Sequence, residues 1–148
     1  MTPRLRLIFL LVAAVSCASA LVFALLRYAT TAGDEFSAYN HPAQPWALDF
    51  HIVSSVGLTL VLGFLLGVHA LPRLATRSAS RRSGIGLIVL AGAMISSGAL
   101  LPCSSDTLAR AALAWTHGIS GALFALLVPW HMQRAGRARH GAALQGRG

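Results

Sequence analysis

Four of the six histidines in this sequence stand inside long apolar stretches, as two pairs: His51 with His69, and His117 with His131. The first pair is eighteen residues apart, five helical turns at about 100° per residue, so both side chains fall on one face. The second is fourteen apart, about 40° short of four turns. Ionisable groups within a bilayer are costly and mark function by default. If the two stretches run parallel, His51 and His117 meet at one depth and His69 and His131 at another. The rises of about 27 Å and 21 Å are reconciled by helix tilt. Two imidazoles facing each other across an apolar wall are the ligand set of a low-spin haem b, with two axial nitrogens and no open position. A zinc ion would demand further Cys, Asp or Glu ligands, and no acid lies deep in these stretches. A single membrane histidine also serves as an interhelical hydrogen-bond partner, but four on matched faces at matched depths fit ligation of haem iron. Between them, the facing stripes carry Ser55, Leu58, Leu62 and Leu65 on one helix, and Gly121, Phe124 and Val128 on the other. Gly121, with Gly118, leaves room for a flat ring beside His117, although such glycines also mediate plain helix packing.

The elements that must hold these residues are four apolar spans, about Leu7 to Tyr28, Leu48 to Leu71, Gly84 to Leu101 and Leu108 to Met132, each about the length a bilayer requires. Short connections imply antiparallel neighbours, which makes the second and fourth spans parallel. The expected fold is all-α: an integral membrane four-helix up-down bundle, a single transmembrane domain over residues 1–148. Residues 29–47 form the outer loop, where Gly33, Asn40, Pro42 and Pro45 argue for turns. Pro72 to Ser83 form a basic inner loop, either an orientation signal or a surface for lipid headgroups or a cytoplasmic partner. Pro102 to Thr107 are a turn, and residues 133–148 a basic cytoplasmic tail. The first span has the basic start and Ala18-Ser19-Ala20 step of a signal peptide, yet its apolar run continues through Leu26, which predicts a retained helix.

Composition agrees with a lipid solvent: 55% of residues are hydrophobic and 11% charged, and mean hydropathy is +0.66. The net charge of +8 comes from arginine alone. Ten arginines (Arg4, Arg6, Arg73, Arg77, Arg81, Arg82, Arg134, Arg137, Arg139 and Arg147) fall on one side of the spans. Arg27 and Arg110 fall on the other, with all four acids, Asp34, Glu35, Asp49 and Asp106. The positive-inside rule makes the first side cytoplasmic, with both termini on it. The His51 and His117 site is then the outer one, and the His69 and His131 site the inner. No soluble basic fold remains to bind nucleic acid.

The other reactive residues have plainer readings. Cys17 and Cys103 are too far apart in sequence for a disulfide framework or a zinc site, and no Cys-x-x-Cys-His attaches a haem covalently. Asp49 either influences the outer site electrostatically or stabilises the start of its helix. Trp46, Trp115 and Trp130 lie near span ends, as an aromatic belt would. His41 and His140 fall outside the spans and are expected in solvent.

The His41-Pro42-Ala43-Gln44-Pro45 approach, the His51 and His69 spacing, Arg81-Arg82-Ser83-Gly84 at the start of the third span, Ser97-Gly98 within it, and His117 with His131 together resemble a known group. They look like small four-helix di-haem b-type membrane cytochromes, similar in style to bacterial cytochrome b-561 proteins and flavinylation-associated cytochromes. The resemblance covers about His41 to His131. It implies two haem b groups on the four histidines, in a multi-pass protein of the bacterial inner (plasma) membrane. It further implies electron transport across that membrane, between quinone or a cytoplasmic donor and a periplasmic redox partner. One departure is visible: b-561-type bundles often take a ligand from the first helix, and Leu7 to Tyr28 holds no histidine. Two rival readings stand beside this one. One is a quinone-reactive oxidoreductase with its own substrate site. The other is a non-redox protein, such as an assembly factor or small transporter, for which only Pro129 offers a break inside a span.

Overall fold

The structure is a computed structural model that describes residues 2–33, 36–75 and 81–145, with backbone alone for residues 75, 135 and 138–145. Asp34, Glu35, Arg77 and Arg147, all used in the charge argument, lie outside the described residues, as does the side chain of His140. All regular structure among the described residues is helical. Four stretches are long and apolar enough to cross a membrane: Pro3–Tyr28, Gln44–Leu74, Arg81–Cys103 and Thr107–Arg134. The shortest has 23 residues, a rise of about 34 Å against a hydrocarbon core of about 30 Å.

Burial is inverted relative to a water-soluble domain. Among the described residues the buried hydrophobic side chains are Phe9, Leu58, Phe124 and Val128, whereas six polar residues are buried: Ser16, Ser19, Gln44, Ser83, Ser97 and Ser120. Large apolar side chains in mid-helix, such as Val53, Leu60 and Leu126, are exposed. Soluble proteins hide such groups. Lipid removes that drive and leaves small residues and interhelical hydrogen bonds to hold helices together. Three of the four buried apolar residues, Leu58, Phe124 and Val128, belong to the stripes that the histidine spacing singles out.

The chain divides into two compact units, Met1–Leu65 and Leu66–Gly148. In the first, α1 (Pro3–Tyr28) starts at Thr2, whose hydroxyl accepts from the Leu5 amide at 3.3 Å, with Pro3 in the first turn where its missing N–H costs nothing. The chain returns through residues 29–43, and the Asn40 side-chain amide donates to the Arg27 carbonyl at the open end of α1. α2 (Gln44–Leu65) is primed from the same loop: His41 Nδ1 accepts from the Ala43 amide at 3.1 Å, and Gln44 Oε1 accepts from the Asn40 amide at 3.1 Å. His41 thus has a structural task rather than mere exposure to solvent. α1 and α2 pack antiparallel, with Ser16 opposite Ser55 and a Cβ at Gly57 placed 3.9 Å from Val12.

The second unit opens on a π-helical segment, Leu66–Ala70, and the short α3 (Leu71–Ala75). The sequence predicts a plain α-helix from Leu48 to Leu71. The wider turn from Leu66 onward breaks the 100° step on which the five-turn count between His51 and His69 depends. α4 (Arg81–Leu100) tightens into a 3-10 turn at Leu101–Cys103, and α5 (Thr107–Gln145) runs for 39 residues, about twice the hydrocarbon thickness. Its last part is the stretch assigned to the basic tail, helical as far as Gln145. Asp106 caps α5 by accepting from the Ala109 amide at 2.7 Å, and Arg110 Nη1 donates to the Leu101 and Ser104 carbonyls. Asp106→Ala is expected to lower stability by about 1 kcal/mol, read as an earlier unfolding midpoint in detergent. An unchanged midpoint would mean that Arg110 alone holds this corner.

Candidate functional site

In the first unit, His51 sits about two turns into α2 and is half-buried against α1. Its Nδ1 lies 3.1 Å from Ser19 Oγ. The Ser19 hydroxyl donates to the Ser16 carbonyl at 2.8 Å, so its lone pairs face the imidazole and it accepts from Nδ1–H. Ser54, one turn on from His51, has its single hydroxyl proton shared between the His51 carbonyl and Ser19 Oγ, each 3.0 Å away. Ser16, Ser19, Ser54 and Ser55 thus form a hydroxyl seam between two otherwise apolar helices, each cross-helix bond contributing about 0.6–2 kcal/mol in such surroundings. The Ser16 to Ser55 contact, at 3.5 Å, is the weakest of them.

In the second unit, α5 carries two histidines and α4 receives both. His117 Nδ1 lies 2.8 Å from the Met94 carbonyl oxygen. A carbonyl only accepts, so Nδ1 bears the proton and Nε2 the lone pair. The ring lies so close to α4 that a Cβ on Gly98 would stand 2.8 Å from both Cε1 and Nδ1. His131 Nδ1 lies 2.8 Å from Ser83 Oγ, and a Cβ on Gly84 would stand 3.6 Å from its Cε1.

The two contacts share one register. Ser83-Gly84 and Ser97-Gly98 are fourteen residues apart on α4, and His131 and His117 are fourteen apart on the antiparallel α5. Each Ser-Gly step therefore meets one imidazole, with glycine giving the ring its closest approach. The serine spacing also repeats between the units. Ser54 follows His51 by three residues and Ser120 follows His117 by three; the Ser54 hydroxyl donates to the His51 carbonyl at 3.0 Å, and the Ser120 hydroxyl donates to the Thr116 carbonyl at 2.6 Å with the His117 carbonyl farther off at 3.2 Å. On the opposing helices, Ser19 donates to the Ser16 carbonyl three residues back at 2.8 Å, whereas the Ser97 hydroxyl lies closest to the Ala93 carbonyl four residues back, at 2.6 Å, with the Met94 carbonyl at 3.1 Å.

The remaining expected site residues fall as follows. His69 lies in the π-helical segment and is half-buried; π turns of this kind recur at functional sites. Gly121 is half-buried, and a Cβ there would stand 3.5 Å from Met94 Sδ, so its observed neighbour is α4. Of its two expected tasks, the one in view is close helix packing. Asp49 is exposed in the second turn of α2, beyond the first turn over which a helix N-terminus favours a carboxylate, so that explanation of its position falls away. Trp46 and Trp115 are exposed, and Trp130 carries the Arg134 guanidinium 4.9 Å above its ring centroid. Cys17 and Cys103 are both free thiols.

Compared with protein-family models, with curated proteins and with solved structures, the chain matches none.

Among the described residues, no three of His, Cys, Asp or Glu gather at one point. Axial ligation of haem needs only two histidines per iron, each offering Nε2 while Nδ1–H leans on a second acceptor that fixes its tautomer and orientation. At Nδ1, His51 and His117 match the second part of that description, and His131 matches its geometry. The acceptors lie on α1 and α4, helices that carry no histidine and that spacing alone does not single out. The signal for them was present in Ser16 and Ser19 at helical spacing within an apolar run, and in the repeated Ser-Gly step.

Proposed function

We propose that this protein is a di-haem b-type cytochrome, with His51 and His117 as ligands of an outer haem and His69 and His131 of an inner one. The observation that carries the reading is the shared posture of three histidines on different turns and helices. His51, His117 and His131 each have Nδ1 engaged by a neighbouring helix, at 3.1, 2.8 and 2.8 Å. Interhelical glue alone would not require the same ring nitrogen three times. A metal ligand does, since Nδ1–H fixes the tautomer that leaves the lone pair on Nε2.

Haem bound at these positions supplies a one-electron couple. The chain's share is to hold each imidazole in one rotamer, to exclude water with its apolar stripes, and to set ligand strength through the Nδ1 acceptor. The function follows as electron transport across a membrane, between quinone or a cytoplasmic donor and a periplasmic redox partner. By the positive-inside rule the termini are cytoplasmic. In a bacterium the host membrane is the inner one, with lipid contacting the exposed apolar faces.

The test is the visible spectrum of the detergent-purified protein from haem-replete cells, oxidised and then reduced with dithionite. The expected result is a low-spin b-type spectrum and about two haems per chain. A colourless protein would overturn the proposal.

A further inference from the structure

The three Nδ1 contacts are not chemically alike. His117 leans on a peptide carbonyl, whose acceptor no side-chain replacement removes. His51 leans on a hydroxyl already committed to donate elsewhere. His131 leans on Ser83 Oγ, in the first turn of α4, at 2.8 Å. Ser83 is 5% exposed, so no bulk water stands ready to replace its hydroxyl.

We propose that Ser83 is a positioning residue for the inner site: its hydroxyl accepts Nδ1–H of His131, fixes the ring's tautomer and rotation, and thereby sets the reduction potential at that site. This deepens the cytochrome reading and rests on it. A hydroxyl accepting from Nδ1–H makes the imidazole a stronger electron donor through Nε2, which favours the oxidised iron. Gly84 beside it leaves room for the ring, since even an added Cβ would stand 3.6 Å from Cε1, so the Ser83 hydroxyl is the polar contact that fixes the ring on α4. Ser97, the equivalent residue one seat along α4, does not do this, since it donates to the Ala93 and Met94 carbonyls. The inner site thereby has an adjustable acceptor where His117 has a fixed one.

The experiment is a potentiometric titration of the full-length protein in detergent, as wild type, S83A, S83T and S97A, together with the rate at which each gives up haem to an apo-globin acceptor. In S83A one of the two redox components is expected to move to a more positive potential, and one haem to be lost about 10-fold faster or more, the size usual for removal of a ligand's hydrogen-bond partner. S83T, which keeps the hydroxyl, is expected to restore both readings, and S97A to leave the inner component in place. S83A that loads two haems with both potentials unchanged would overturn the inference while leaving the cytochrome reading intact. A wild type that binds no haem overturns both. Equal shifts of the two components in S83A would also overturn the inference, because they would report a general loosening of α4.

Discussion

His131→Ala is expected to yield a protein that keeps one haem and loses the other. The ring is held from α4 by Ser83, and nothing in alanine can replace either the imidazole nitrogens or the volume of the ring. On the proposed pairing, His69→Ala gives the same partial loss, and His51→Ala and His117→Ala remove the other haem. His41→Ala is the control. Its Nδ1 accepts from the Ala43 amide, the opposite polarity to that of His117 Nδ1, so its loss is expected to weaken the start of α2 without touching haem content. The measurement is haem per chain with the reduced spectrum of each variant. Loss of both haems in all four variants would contradict two separate sites, and loss of haem in the His41 variant would contradict the division between capping and ligand histidines.

The second large effect is expected from a single methyl group. Gly98→Ala places a Cβ at 2.8 Å from His117 Cε1 and Nδ1, where ordinary contact begins near 3.4 Å. The ring must retreat or α4 must shift, and either movement strains the 2.8 Å bond from Nδ1 to the Met94 carbonyl. Overpacking of this kind costs about 1–3 kcal/mol, more than the roughly 1 kcal/mol that alanine gains over glycine within a helix. Gly84→Ala makes the same chemical change with 3.6 Å of clearance. There the helical gain is unopposed. The expected outcome is reduced haem occupancy and a lower unfolding midpoint for the first variant, with wild-type haem content and an equal or higher midpoint for the second. Equal behaviour of the two would mean that the imidazole of His117 does not rest on α4 as described.

The four long apolar helices are legible in the sequence because length and apolarity can be read without knowing any contact. The histidine stripes are legible for a related reason, since helical phase is local: Leu58, Phe124 and Val128, singled out by spacing, are buried. What spacing could not reveal is where phase fails or where a partner stands on another helix. The π turn at Leu66–Ala70 leaves no clear mark in Leu-Gly-Val-His-Ala, so His69 could not be phased correctly from His51. A first-turn place is one of the two readings open to Asp49 because the apolar run starts near Leu48, whereas His41 and Gln44 start the helix at Gln44. Ser19 and Ser83 carry no signal of their own as serines; only the antiparallel pairing with His51 and His131 gives them a task.

The matched spacing on α4 and α5 also restricts how this segment can change length. One residue inserted between Gly84 and Ser97 would turn one Ser-Gly step by about 100° from its imidazole, while the two histidines kept their own interval. A compensating insertion between His117 and His131 would be needed at the same time. Insertions and deletions that keep both contacts are therefore confined to the stretch between Gly98 and His117 and to the chain beyond His131, so that two arms of fixed length, 83–98 and 117–131, are joined by a variable tip.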